Sequence, residues 1–303
     1  MCEMGKASEI ARNVWLGPTP DSSLSLPCDD GDIEFDILIE ANDLSVAPDP
    51  QLLERIGEES FSSPQSTDFP SSGSILPQSW PQSGSDPLTQ MCQWMYKLTH
   101  SDGTLDQDEK LTPDEDGDIP MRNLSPTGRK ILLHCTDGYT ETTLLSIAYL
   151  MFAEQIPLHD AWLRLHREKK RNFFAYPSDV ALLQSLESSL AFTRFSRAKR
   201  DRRVSGPQSP NWLSRMDGSL PSRILPYLYL GNLGHANNPE LLKEIGIGQI
   251  LSVGEATNWT NSQWEAWGQE NRENLLFIDR IQDNGVDPLT AEFERCLQFI
   301  GEF

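Results

Sequence analysis

Apolar positions along the chain fall into short runs and helical stripes that recur twice in the same order. Ser8 to Gly17, with Ile10, Val14 and Leu16 apolar, reads as short strands ending at a glycine. Ser222 to Gly231, with Ile224, Leu228 and Leu230, repeats that pattern. An apolar strand follows in each stretch, Asp36 to Glu40 and Gln249 to Val253, and small or polar turn residues come after both. Asp86-Pro87-Leu88-Thr89 then matches Asp287-Pro288-Leu289-Thr290 letter for letter. Each tetrapeptide opens a helical stripe, Met91/Trp94/Met95 in one and Phe293/Leu297/Ile300 in the other. Proline sits in the first turn of each, where its missing N–H is harmless. Matches in one order predict an internal duplication. The first copy continues with a buried strand, Lys130 to Leu133, and an almost unbroken apolar helix from Leu144 to Phe152. An amphipathic helix over 158–170 turns Trp162, Leu163 and Leu165 inward. A last helix, capped by Ser178, carries the stripe Leu182, Leu183, Leu186 and Leu190.

The two copies are unequal. A Ser/Pro-rich stretch at 60–85 and an acidic one at 101–120 interrupt the first copy and are expected to be solvated insertions. Between the copies, five of the seven residues from Arg197 to Arg203 are basic. That run reads equally as a short nuclear-import signal or as a solvated linker. A length of 303 residues suits two domains. The expected boundaries are a first domain at 1–195, a basic linker at 196–218 and a second domain at 219–303.

Charge narrows the function classes. A net charge of −20 repels nucleic acid and anionic lipid, which argues against a nucleic-acid or membrane-surface partner. The longest apolar stretch, Thr143 to Ala153, is too short to span a bilayer, and the N-terminus has no apolar signal core. The chain therefore reads as intracellular, cytoplasmic or nuclear. Its cysteines, at 2, 28, 92, 135 and 296, form no Cys-x-x-Cys pair and no zinc-spaced cluster, so neither a disulfide framework nor a metal is expected.

The chemistry concentrates after the strand at 130–133. His134-Cys135-Thr136-Asp137-Gly138-Tyr139-Thr140-Glu141-Thr142 leads directly into the apolar helix. Strand, glycine-containing loop and helix N-terminus together aim several backbone N–H groups at one spot and bring the positive end of a helix dipole there. Such a place binds anions and lowers the pKa of a cysteine seated in it. The segment resembles the phosphate-binding loop of the cysteine-dependent protein tyrosine phosphatases, His-Cys, five residues, Arg, then Ser or Thr. The resemblance puts Cys135 at the nucleophile, Thr142 at the leaving-group helper, and His134 and Gly138 at family positions. It implies an α/β, tyrosine-phosphatase-like fold, a central mainly parallel sheet flanked by helices, with one complete degenerate copy and one incomplete second copy. The family's arginine position is Glu141. Arginine there grips two phosphate oxygens and neutralises transition-state charge. Replacing it by a carboxylate swings the electrostatics by about 8 kcal/mol at ~4 Å and an effective dielectric of ~20. It also disfavours the Cys135 thiolate. The family's general acid is missing as well, because the sequence register sets Ser71 where the aspartate belongs. The first copy is thus expected to keep the fold and to lack the chemistry.

The second copy opens in the manner of a dual-specificity phosphatase domain, Pro221 to Asn232. Phe277 to Asn284 resembles that family's general-acid strand and loop, which makes Asp283 the proton donor to a leaving oxygen by resemblance. Counting from the first copy, the second nucleophilic cysteine is expected roughly 25 residues after Thr290, beyond Phe303, so the chain is expected to be a truncated form. The tandem arrangement resembles the fungal Pps-type dual-specificity protein phosphatases. That resemblance implies hydrolysis of phosphorylated protein through a phosphocysteine intermediate with no metal and no cofactor. The alternative is a pseudophosphatase that binds a partner without hydrolysis.

Overall fold

The computed structural model describes residues 5–21, 25–28, 31–58, 64–74, 86–100, 128–192, 209–279, 281, 284 and 286–301. Contacts group the chain into two units. The first comprises Glu3–Ala161 and Phe173–Arg202, and the second is built on Trp162–Asn172 and Arg203–Phe303.

In the first unit, β1 (Ser8–Ala11), β2 (Val14–Pro18), β3 (Ser25–Cys28), β4 (Gly31–Glu34) and β5 (Ile37–Asn42) precede α1 (Pro50–Glu58) and β6 (Gln65–Pro70). Then come α2 (Pro87–Thr99), β7 (Ile131–Cys135), α3 (Thr143–Glu154), α4 (Leu158–Arg167), whose second half groups with the other unit, and α5 (Pro177–Phe192). Five strands form a sheet in the order β1-β2-β7-β5-β6, antiparallel only at β1–β2. The α/β class and the mainly parallel sheet are therefore those expected. β7 sits in the middle and is buried along its whole length, which is why its residues are apolar on both faces. Trp15, Leu132 and Leu38 stand side by side across three strands and pack against Ala7, Leu26 and Phe35. The alternate residues Leu16, Leu133 and Ile39 lie on the other face, by the two-residue period of a strand. α3 packs against both α2 and α5. Asp86 caps α2, its carboxylate accepting from the N–H groups of Leu88 (3.3 Å) and Thr89 (3.1 Å).

Three expectations change. The 60–85 stretch contains β6, a strand of the main sheet, so it is not wholly an insertion. Residues at the end of the 196–218 linker are folded, with Trp212 and Leu213 buried. The last helix starts at Pro177, ahead of Ser178, because proline supplies the fixed φ of a first helical residue. The acidic 101–120 stretch and the basic run 197–203 lie outside the described residues.

The second unit holds β8 (Ser222–Leu225), β9 (Leu228–Leu230), α6 (Leu233–Ala236), α7 (Pro239–Ile245) and β10 (Ile250–Val253). α8 (Asn261–Trp267), β11 (Leu275–Ile278) and α9 (Phe293–Gly301) complete it. β8–β9 is an antiparallel pair and β10–β11 a parallel one, each a separate two-stranded sheet. Trp259 and Trp267 are buried with Leu242 and Ile250, and Trp264 packs against them, so these tryptophans form a core.

Candidate active site

Cys135 ends β7 and Thr143 begins α3, so the seven residues between them make the turn from the middle of the sheet into the helix N-terminus. Gly138 permits that turn. Its φ is +67°, and a Cβ there would stand 2.3–2.7 Å from the backbone of Gly17 and Pro18, so a side chain is excluded sterically as well as conformationally. The carbonyl of Cys135 accepts from Thr19 N–H at 2.8 Å, which fixes the end of β7 against the residue following β2. His134 is buried, its Nδ1 3.1 Å from the Thr19 hydroxyl. Burial holds its pKa down at about 4, against the opposing pull of Asp68.

The sequence-predicted residues Cys135, Gly138, Glu141 and Thr142 do come together in this loop, but their hydrogen bonds turn inward. Cys135 is 2% exposed, and its thiol donates to Asp137 Oδ1 at 3.4 Å. The same oxygen accepts from Tyr139 N–H at 3.0 Å. Gly138 N–H donates to the Cys135 carbonyl at 3.2 Å, and Thr143 N–H to the Thr140 carbonyl at 3.1 Å. The Thr142 hydroxyl donates to the Tyr139 carbonyl at 3.2 Å. Three backbone donors of the loop, Gly138, Tyr139 and Thr143 N–H, are thereby engaged by the protein itself.

Residues 71–73, on the loop after β6, close over this turn. Ser72 N–H donates to the Glu141 carbonyl at 2.9 Å, and the Ser72 hydroxyl accepts from Leu144 N–H at 2.7 Å in the first turn of α3. Gly73 N–H donates to both carboxylate oxygens of Asp179, at 3.0 and 3.1 Å, which tethers the loop to the start of α5. The Ser71 hydroxyl donates to Asp43. Strand pairing also revises the position of the missing acid. Gln65 lies opposite Ile37 and Leu275 opposite Ile250, so position 283 corresponds to Gly73 and not to Ser71. Neither residue offers a carboxyl. Asp283 itself lies outside the described residues.

The electrostatics follow from this geometry. Burial and the hydrogen bond that the thiol donates to the Glu141 carboxylate, with that group's negative charge adding to both, push the Cys135 thiol up to about 12, beyond what the Tyr139 and Asp137 backbone groups offset. Such a cysteine carries almost no thiolate at neutral pH and is a poor nucleophile. Donor atoms of Cys135, Asp137 and Glu141 lie within 4.8 Å of one another, close enough to share a cation once the thiol is deprotonated.

Asp137, Thr19, Ser72 and Asp179 escaped the sequence reading. An aspartate two residues before a bonded N–H is a legible turn signal, so Asp137 could have been found. Thr19 meets His134 across a separation of 115 residues, and no local pattern announces such a contact.

No family model matches the chain. Dual specificity protein phosphatase PPS1 of Saccharomyces cerevisiae is 30% identical over 305 aligned positions, covering 70% of this chain. The chain spans 37% of the length of that relative. Dual specificity protein phosphatase PHS1 of Arabidopsis thaliana is 32% identical over 82 positions, 24% of this chain and 8% of that protein. The crystal structure of human DUSP28 aligns at 14% identity with a TM-score of 0.34, covering 61% of this chain and 94% of that one. At that score the likeness lends no weight, and the assignment rests on the sequence relatives. Among the described residues no helix is long and apolar enough to cross a membrane. Over 70% of its residues the chain is similar to a dual-specificity protein phosphatase, PPS1.

Proposed function

We propose that the first unit is a catalytically silent copy within a dual-specificity phosphatase, and that phosphoryl transfer belongs to a second copy completed by a Cys-x5-Arg loop. No cysteine of these residues is followed six positions later by arginine. In a complete second copy a thiolate would form the S–P bond as the P–O bond to the substrate breaks. The leaving oxygen would take its proton from Asp283. The substrate would be a phosphorylated protein, met in the cytoplasm or nucleus.

One observation carries the reading. The Cys135 thiol is held protonated beside Glu141, while the Asp137 carboxylate occupies the donor side of the loop. A phosphate dianion would meet two carboxylates there and no guanidinium. The test is hydrolysis of an aryl phosphate by the full 303-residue chain and by Cys135→Ser. Equal background rates are expected. A rate that depends on Cys135 would overturn the reading. The alternative, a binding module that holds a phosphorylated partner in the first-unit pocket, predicts vanadate binding by the unmodified chain. The engaged loop donors make that outcome the less favoured one.

A further inference from the structure

Four parallel strands of the first unit, β2, β7, β5 and β6, end along one edge of its sheet. The residues that follow them, 19–21, 136–142, 43–49 and 71–74, include Asp21, Asp137, Glu141, Asp43 and Asp49 and no lysine or arginine. Asp49 is committed to the start of α1, where its carboxylate accepts from Leu52 N–H at 2.8 Å. Asp21, Asp43 and Asp137 are exposed and Glu141 is half-buried. Ligands of open α/β sheets bind beyond the carboxyl ends of the strands, so a ligand approaching this edge meets a field of one sign.

Apolar side chains stand out of the same edge, and residues 71–73 join them to the carboxylates. Ser71 N–H donates to the Asn42 carbonyl at 3.3 Å and the Ser71 hydroxyl to Asp43, which fixes the turn after β5. Within that turn Asn42 Oδ1 accepts from Leu44 N–H at 2.9 Å, and the Asn42 carbonyl from the Ser45 hydroxyl at 2.8 Å. The turn so braced holds Leu44 93% and Val46 83% exposed. Ser72 N–H holds the Glu141 carbonyl at 2.9 Å. Gly73 lies against the Tyr176 ring, so near that a Cβ would stand 2.7–3.0 Å from its atoms. Tyr176 is itself exposed and meets Phe174 edge-on at 5.1 Å. Three consecutive residues thus tie two exposed aliphatic side chains, the Asp137–Glu141 turn and an exposed aromatic into one strip. Because hydrogen bonds already order the turns, little ordering remains to oppose binding there.

We infer that this edge of the first unit docks a cationic, unphosphorylated segment of a partner protein, in which arginine or lysine alternates with aliphatic residues. Charge complementarity selects that occupant. Guanidinium forks match the carboxylates of Asp43, Asp137 and Glu141, and aliphatic side chains cover Leu44 and Val46. A phosphorylated segment would bring charge of the wrong sign to the same place. The inference rests on the reading that the first unit does not transfer phosphate, and adds what that unit holds instead.

The probe is a fluorescently labelled synthetic peptide of alternating arginine and leucine, titrated into the full chain and read by polarisation and by amide exchange. Saturable binding is expected, with slowed exchange at residues 44–46 and 137–141. Raising the salt from about 0.1 to about 1 M, which shortens the screening length from ~10 to ~3 Å, is expected to weaken binding about tenfold or more. Asp137→Asn with Glu141→Gln, and separately Leu44→Ser with Val46→Ser, are each expected to weaken it about tenfold, since one pair removes the charge and the other the apolar contact. Glu54→Gln with Glu58→Gln, on α1, is expected to change nothing. An equal loss from the α1 pair would overturn the inference in favour of bulk attraction to a chain of net charge −20. No saturable binding would overturn it, as would tighter binding of the same peptide carrying a phosphotyrosine. Binding that appears only after the basic residues of 197–203 are changed to glutamine would overturn the separate partner in favour of the chain's own linker. These results are read from binding and not from hydrolysis, so failure here is distinct from failure of the Cys135 assay.

Discussion

The hairpins β1–β2 and β8–β9 have the same pairing offsets and the same irregularity, at Glu9/Ala11 in one and Arg223/Leu225 in the other. Their environments are opposite. Leu16 is 1% exposed, and Leu230, at the same place in the repeat, is 67% exposed. β5 and β10 differ in the same direction, with Leu38 and Ile39 buried while their counterparts Leu251 and Ser252 are only half-buried. Local sequence is therefore sufficient to shape a hairpin, whereas burial depends on the strand that lies beside it. In the first unit that strand is β7, whose hydrogen bonds join the β1–β2 pair to the β5–β6 pair in one sheet.

The sharpest way to break this comparison is a matched pair of truncations. Leu16→Ala is expected to cost about 3 kcal/mol, as other leucine truncations in packed cores do, while Leu230→Ala costs less than about 1 kcal/mol. Urea denaturation with amide-exchange detection separates the two hairpins. Equal losses would mean that the β9 edge is as covered as β2.

A pH series on the first unit comes next. Folded His134 has a pKa of about 4, below its ordinary 6.5, so the unfolded chain takes up a proton that the folded protein refuses. Stability from this group is complete above pH 6.5 and is lost as pH falls toward 4, by up to about 3 kcal/mol. His134→Gln should flatten that part of the profile, and an unchanged acid limb would remove His134 as its source. Glu141→Arg tests the loop electrostatics. Alkylation of Cys135, read by peptide mass, should accelerate at least 30-fold at pH 7.5 as the thiolate becomes accessible, and an unchanged rate would assign the high pKa to burial alone. The smallest effect belongs to Ser72→Ala, which strips the acceptor from Leu144 N–H at the start of α3 and should cost about 1 kcal/mol in thermal or urea unfolding.

Much of the fold was legible from short-range pattern. The duplicated strand and helix signals, the buried β7 and the sharp turn at Gly138 all follow from period, punctuation and steric demand within a few residues. β6 was harder to read, because Gln65-Ser66-Thr67-Asp68-Phe69-Pro70 has few apolar residues and qualifies as a strand only by pairing with β5. The position of the missing acid shifted from Ser71 to Gly73 for a related reason, since counting letters cannot see where parallel strands align.

The sequence by itself determined that the two halves are related and that Glu141 stands where an arginine would hold phosphate, since both are matters of residue type and order. It also determined that Cys135 lies between a strand and a helix. Only the tertiary structure decided that Asp137 turns back onto the cysteine and that Ser72 and Gly73 close over the loop. Those outcomes join residues tens of positions apart. Whether a carboxylate bonds the cysteine, or an apolar strand finds a neighbour, depends on which groups meet in space and lose their water together.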